Sequence, residues 1–196
     1  GSIPVLLEKP GEKQLPGEQV HGEVDYKWDI FLSYDYDPKW DFREWLKLFK
    51  ERFEGSLREH IKEEPVIFDR LEQSASDEDV KHALLYARCL IVICSSKYFE
   101  SPQCKYELAV MIQRAQRLGY SIVIPVCLCR YFKIRDTLQP IPLQDWSKYS
   151  HLEKGMIQNP LYPEFKGIVR NFSEQVARII NNPPVWDNAF VHDLNP

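Results

Sequence analysis

Cys89-Leu90-Ile91-Val92-Ile93-Cys94 runs directly into Ser95-Ser96-Lys97-Tyr98-Phe99-Glu100-Ser101-Pro102-Gln103-Cys104-Lys105-Tyr106-Glu107-Leu108. The first six residues are continuously apolar, the pattern of a parallel strand covered on both faces. The spacing that follows predicts a helix from about Pro102 to Arg117. One carboxylate, Glu107, therefore falls near the start of a helix at the C-terminal edge of a buried strand. Open α/β sheets keep their ligand sites at that edge.

Working outward, Trp28-Asp29-Ile30-Phe31-Leu32-Ser33-Tyr34 is a short hydrophobic strand. Asp37-Pro38 offers an N-cap with proline at the first helical position. Phe42, Trp45, Leu46, Phe49 and Phe53 then recur at helical spacing. Pro65-Val66-Ile67-Phe68, ending at Asp69, forms a second strand, and Arg70 to Ala75 a polar loop. Ser76-Asp77-Glu78-Asp79 is a capping-box pattern opening a helix whose inner face is Val80, Ala83, Leu84 and Ala87. Ser121 to Leu128 reads as a fourth strand and Leu143 to Trp146 as a weaker fifth. Phe165, Ile168, Val169, Phe172, Val176, Ile179 and Ile180 make one stripe on the last helix, which Pro183-Pro184 ends. Residues 1 to 24, with Pro4, Pro10 and Pro16, read as a flexible leader, 25 to 182 as the domain, and 183 to 196 as a C-terminal tail. Strands alternating with helices predict an α/β fold: a flavodoxin-like three-layer sandwich around a central parallel sheet of about five strands.

Composition excludes several classes. A net charge of -4 gives no electrostatic case for nucleic acid or an anionic membrane as partner, and no apolar run is long enough to span a bilayer. Cys89, Cys94, Cys104, Cys127 and Cys129 form no CxxC pair, and four of them lie in apolar runs. That usage points to a reducing, cytoplasmic compartment rather than a disulfide framework. The five histidines are scattered without ligand spacing, so no metal site is expected. Nucleotide-binding Rossmann and P-loop folds need glycines after the first strand, where this chain has Tyr34-Asp35-Tyr36-Asp37. A phosphorelay receiver needs an aspartate ending the third strand, where Cys94-Ser95-Ser96 stands. What collects at the sheet edge is Ser33 and Tyr34, Asp69, Ser95 and Ser96, and Glu107. In the predicted strand order Tyr34 and Glu107 face one switch-point cleft.

These residues carry a family resemblance over about 25 to 182. Trp28 to Tyr34 resembles the first-strand motif of Toll/interleukin-1 receptor (TIR) domains, an aromatic-Asp-(Ile/Val)-Phe-Leu-Ser-Tyr. Asp69 to Ser76 falls where that family has its BB loop. Ser96 to Ser101 followed by Cys104-Lys105-Tyr106-Glu107-Leu108 is similar to its third-strand exit and following helix, and Ile124-Pro125-Val126 to its fourth strand. The chain departs from the family at Gln103, where a Trp commonly precedes the Cys, and in lacking the Pro-Gly frequent in receptor BB loops.

The resemblance implies two functions. Many members hydrolyse NAD+ at the nicotinamide–ribose bond, some with cyclisation, in innate-immune, defence or stress pathways. Their catalytic carboxylate maps to Glu107. Tyr34 would stack on nicotinamide, and Ser33, Asp69, Ser74, Ser76 and Cys104 would line the substrate site. NAD+ is then a substrate, and no cofactor is implied. Other members are non-enzymatic signalling scaffolds that bind further TIR domains. On this chain the interaction loop would be Arg70, Leu71, Glu72, Gln73, Ser74 and Ala75, and homo-oligomers are expected. Each residue also has a plainer role open to it: Glu107 as a solvated helix acid, Tyr34 as packing beneath a loop, Asp69 as a cap of its own turn, Ser74 and Ser76 as helix starters, and Trp40 and Trp45 as core.

Overall fold

β1 (Trp28–Ser33), β2 (Ile67–Asp69), β3 (Ala87–Cys94) and β4 (Val123–Cys127) are mutually parallel and lie in the order β2-β1-β3-β4. The computed structural model describes residues 26–129, 144–153 and 155–196. The leader expected over residues 1 to 24 lies outside them. Ile30 pairs with Ile67 on one side and Cys89 on the other, so β1 and β3 are interior, and β3 carries the longest apolar run of the sheet. Among the described residues β4 has one neighbour strand, and Pro125 within it suits such a peripheral place. Of the fifth strand expected over Leu143 to Trp146, Leu143 falls outside the described residues. Asp145 makes a single parallel bridge to Cys127. β4 starts two residues later than the hydrophobic run, because the Ser121 hydroxyl bonds both the N–H and the carbonyl of Val123.

The helices are α1 (Trp40–Leu57), α2 (Asp77–Tyr86), α3 (Pro102–Leu118) and α4 (Leu161–Asn181). Right-handed crossovers in this strand order send α1 to one face of the sheet and α2 and α3 to the other. α4 packs against α1, which completes the three layers. Phe42, Trp45, Leu46, Phe49 and Phe53 of α1 are all buried, with the Phe49 ring edge-on to Trp146 and Phe172. Each such ring taken from water contributes about 1.5–3 kcal/mol before ordering costs.

Helix ends mostly follow the sequence signals. Ser76 and Asp79 form the reciprocal capping box of α2. Ser101 caps α3 ahead of Pro102, and Gly119 ends it at φ +80°, a left-handed turn natural to glycine. α1 departs from the expectation. It begins at Trp40 rather than Pro38, with Lys39 at the N-cap. Asp37 is buried and accepts hydrogen bonds from the Ser96 hydroxyl (2.6 Å) and the Lys39 N–H (3.1 Å). A tertiary tie to the end of β3 takes the carboxylate that local rules assign to the cap.

Residues 183–196 do not trail away. They run across α2 and α3 as a strap that ends in a 3-10 segment, Asn188–Leu194. Trp186 stacks on Tyr86 at 5.3 Å and donates its indole N–H to the Leu85 carbonyl. Phe190 is wholly buried over the guanidinium of Arg114, 4.3 Å away, and Arg117 forks onto Asp193.

Candidate functional site

Glu107 lies on the second turn of α3, in the wedge between the C-terminal ends of β1 and β3. Its carboxylate is 0% exposed, so it is not the solvated helix acid that position alone allows. Three donors hold it. Ser33, the last residue of β1, donates its hydroxyl to Oε1 at 2.7 Å. Arg70, the first residue beyond β2, donates Nε–H to Oε2 at 2.8 Å. Gln103, one turn back on the same helix, donates its amide to Oε2 at 3.0 Å. Burial pushes the Glu107 carboxyl above the usual carboxylate range, outweighing the opposite pull of Arg70, Gln103 and Ser33.

Arg70 covers this cluster. Its side chain is 15% exposed, and beyond Glu107 it donates Nη2–H to the Tyr34 carbonyl at 3.0 Å and passes 3.8 Å from the Cys104 sulfur. Sequence reasoning placed Arg70 in an interaction loop, yet it is also the cationic partner of the candidate catalytic residue. Cys104 is buried beneath it, and desolvation pushes its thiol up to about 12.

A second cluster adjoins the first. Tyr34 donates its hydroxyl to Asp69 Oδ1 at 2.7 Å, and Lys50 of α1 pairs with Asp69 Oδ2. The Tyr34 ring is buried, with the Lys50 ammonium 5.4 Å from its centre and Tyr36 edge-on at 5.6 Å. Burial first, and then the hydrogen bond to Asp69, hold its phenol far above the usual range. Burial lowers the Lys50 pKa, but the adjacent Asp69 carboxylate outweighs it and leaves Lys50 raised. Asp69 does cap its own turn, accepting from the Glu72 N–H at 3.1 Å, while its N–H is taken by Gln73 Oε1 at 2.8 Å. The loop from Arg70 to Ala75 is thus bonded at its root to both clusters.

Of the residues expected in the substrate site, Ser33 and Cys104 lie with Glu107 and Tyr34 lies with Asp69 in the adjoining cluster, while Arg70, expected only in the interaction loop, joins the first. Ser74 and Ser76 do not join them. The Ser76 hydroxyl is committed to the α2 cap, and Ser74 is exposed at φ +49° on the far part of the loop. Sequence reasoning missed three members. Gln103 could have been found from its i, i+4 relation to Glu107. Tyr98, whose hydroxyl lies 2.8 Å from Ser33 Oγ, and Lys50 reach the site through tertiary contacts that carry no local signal. A recess of about 200 Å³ adjoins Lys50, Asp69 and Glu72, and Glu107 does not line it. Larger concavities lie elsewhere. One of about 620 Å³ between α1 and α4 is lined by Arg52, Tyr162, Lys166 and Arg170 together with Glu51 and Glu59, so volume does not locate the chemistry.

The sequence model of the TIR domain matches residues 30–156, more than half of the chain, and the chain belongs to the TIR domain family. A search of the curated proteins returns no match. The four-stranded parallel sheet flanked by helices is the fold expected of that family. TIR domains associate with other TIR domains, and the family includes both signalling scaffolds and NAD+ hydrolases. Among the described residues no helix is long and apolar enough to cross a membrane, and no group of His, Cys, Asp and Glu is placed to hold a metal ion.

Proposed function

We propose that this TIR domain cleaves the nicotinamide–ribose bond of NAD+, with Glu107 as the catalytic carboxylate. The observation that carries the reading is the wholly buried carboxylate at the switch point, held by Ser33, Arg70 and Gln103. The same helix also buries Cys104, Leu108, Val110 and Met111, and Arg114 is its other buried charged residue. A hydrophobic residue of similar size would serve packing as well or better, since buried ion pairs seldom stabilise. An ionisable group kept buried at the sheet's switch point against that cost is a mark of chemistry.

The chemistry suits one carboxylate. Nicotinamide leaves a pyridinium as a neutral molecule, so the leaving group takes no proton from an acid. The C1′–N bond breaks with its electron pair going to nitrogen, and the ribosyl cation is stabilised by a fixed negative charge. Glu107 would hold the ribose hydroxyls and face that cation. Water adding at C1′ gives ADP-ribose and a proton, and an adenine nitrogen adding instead gives a cyclic product. Because Glu107 is closed off by Arg70, substrate must displace the guanidinium from Oε2. Such an enzyme would work in the cytoplasm, in a defence or stress response and as a homo-oligomer. NAD+ consumption by the clustered domain, followed by nicotinamide release, tests the reading. Glu107→Ala and Glu107→Gln should abolish turnover while the thermal transition stays cooperative. Full activity in either variant removes Glu107 from the mechanism.

One observation favours a second reading. With its carboxylate already bonded, Glu107 also serves as a strut that fixes Arg70 and so presents the loop through Ala75 to another TIR domain. On that reading charge reversal at Asp77, Glu78 or Asp79 weakens assembly, and NAD+ is untouched. Assembly indifferent to changes anywhere in the loop defeats it.

A further inference from the structure

Tyr98 opens the 3-10 turn Tyr98–Glu100 between β3 and α3, and its ring is fully buried against Phe99. Its hydroxyl lies 2.8 Å from Ser33 Oγ and 3.2 Å from the Cys104 carbonyl oxygen. Ser33 Oγ in turn lies 2.7 Å from Glu107 Oε1. Ser33, Tyr98 and Glu107 are all 0% exposed, so this chain of oxygens is closed to solvent.

Each hydroxyl has one proton to donate, and that fixes the chain's direction. When Glu107 is ionised, the Ser33 proton goes to Oε1. Ser33 Oγ is then free to accept, and Tyr98 donates to it. Both protons point toward the carboxylate. When Glu107 is protonated on Oε1 the chain reverses: the carboxyl O–H donates to Ser33, Ser33 donates to Tyr98, and Tyr98 donates to the Cys104 carbonyl. Two arrangements exist, one for each charge state, and in the ionised one the 3.2 Å contact between Tyr98 and the Cys104 carbonyl carries no proton. The hydroxyls serve Oε1 alone, while Arg70 and Gln103 serve Oε2. The carboxylate is therefore divided into an anchored oxygen and an oxygen held from the solvent side.

We propose that Tyr98 is a positioning residue for Glu107: acting through Ser33, it anchors Oε1 in the ionised state and leaves Oε2 as the oxygen that meets the ribose once Arg70 moves aside. The kinetic part of this proposal rests on the NAD+ reading above; the anchoring itself does not. The groups facing Glu107 are Arg70 from the loop after β2, Gln103 and Cys104 from its own helix, Ser33 from β1 and Tyr98 from the 3-10 turn. Only Ser33 and Tyr98 give the Oε1 side a switchable donor.

The test is the titration of the Glu107 carboxyl carbon by NMR in the full chain with labelled glutamate, assigned by its loss in Glu107→Gln. Removing a donor to the charged form raises the midpoint. Tyr98→Phe should raise it by about half a pH unit and Ser33→Ala by about one, as expected for the outer and inner members of a charge-assisted chain. Site-specific replacement of Tyr98 by 3-fluorotyrosine, a stronger donor of nearly the same shape, should lower it, and this variant keeps the test decisive should Tyr98→Phe fail to fold. The acid limb of the NAD+ turnover profile should move by the same amounts and in the same directions. A Tyr98→Phe chain that melts earlier but titrates with an unmoved midpoint makes Tyr98 a packing residue and overturns the proposal, as does a fluorotyrosine chain with no downward shift. Absence of turnover in the wild-type chain would defeat the NAD+ reading and leave the carboxyl titration to decide the anchoring.

Discussion

Replacing Arg70 by alanine separates a substrate that must displace this guanidinium from one that must bind it. Arg70 gives Glu107 one charge-assisted hydrogen bond at 2.8 Å and the Tyr34 carbonyl one neutral bond at 3.0 Å. The first is worth about 1.5–3 kcal/mol and the second about 1 kcal/mol. The side chain sits at the rim, 15% exposed, and regains water when it swings out, which returns part of that sum. A net penalty of about 2 kcal/mol falls on any ligand that claims Oε2, equivalent to roughly a thirtyfold loss of affinity. Arg70→Ala removes the penalty, so the KM for NAD+ should fall by about ten- to thirtyfold with little change in kcat. The assay belongs well above neutral pH, because losing the cation raises the Glu107 pKa still further and would mask the gain in acid. Thermal melting alongside confirms an intact domain. A KM that rises instead would mean that the guanidinium binds substrate rather than guarding the carboxylate, and the displacement argument would fall.

Stability should report the buried carboxyl as well. Its folded pKa is raised above the ordinary 4.5 by burial, so the folded state holds this proton more tightly than the unfolded chain. Stability attributable to Glu107 is then greatest below 4.5 and falls as pH rises through the raised folded value. The urea-derived stability of Glu107→Gln relative to wild type should accordingly improve with pH across that window, and the opposite slope would show the ion pair winning over desolvation. In the strap, Phe190→Ala should cost about 3–5 kcal/mol, since a fully buried ring is lost and the Arg114 guanidinium loses its cover. A loss below about 1 kcal/mol in urea unfolding would mean that the strap is undocked in solution.

The elements were legible because their periodicity is strong. β3 shows an unbroken apolar run from Cys89 to Cys94 and β1 a shorter one from Ile30 to Leu32, α1 and α4 show a clean stripe, and α2 a full capping box. What failed was each place where a tertiary partner takes a residue that local rules assign elsewhere. Asp37 reads as a cap and serves Ser96 instead. Pro183-Pro184 correctly ends α4, but nothing near it in sequence announces that Trp186 and Phe190 will dock on Tyr86 and Arg114. The site divides in the same way. Glu107 was placed by the strand that precedes it, and Gln103 was within reach of helix geometry. Arg70, Ser33 and Tyr98 arrive from three separate sheet-edge segments, so their convergence depends on strand order and register rather than on spacing.

Arg70 couples the two readings of this domain thermodynamically. It belongs to the loop that would meet another TIR domain and to the ion pair that closes Glu107, and it cannot serve both fully at once. If contact between domains draws Arg70 outward, assembly raises affinity for a ligand at Glu107, and linkage requires that ligand to strengthen assembly by the same factor. With about 2 kcal/mol at stake in the two Arg70 bonds, that factor should approach thirty. Sedimentation of the domain with and without a non-hydrolysable NAD+ analogue measures it, and Arg70→Ala should abolish it, because no latch remains to be shared. Self-association that the analogue leaves unchanged in the wild-type chain would show that the loop engages its partner with Arg70 still on Glu107. The carboxylate would then be the strut of a scaffold, and the cleft beneath it would open for no ligand.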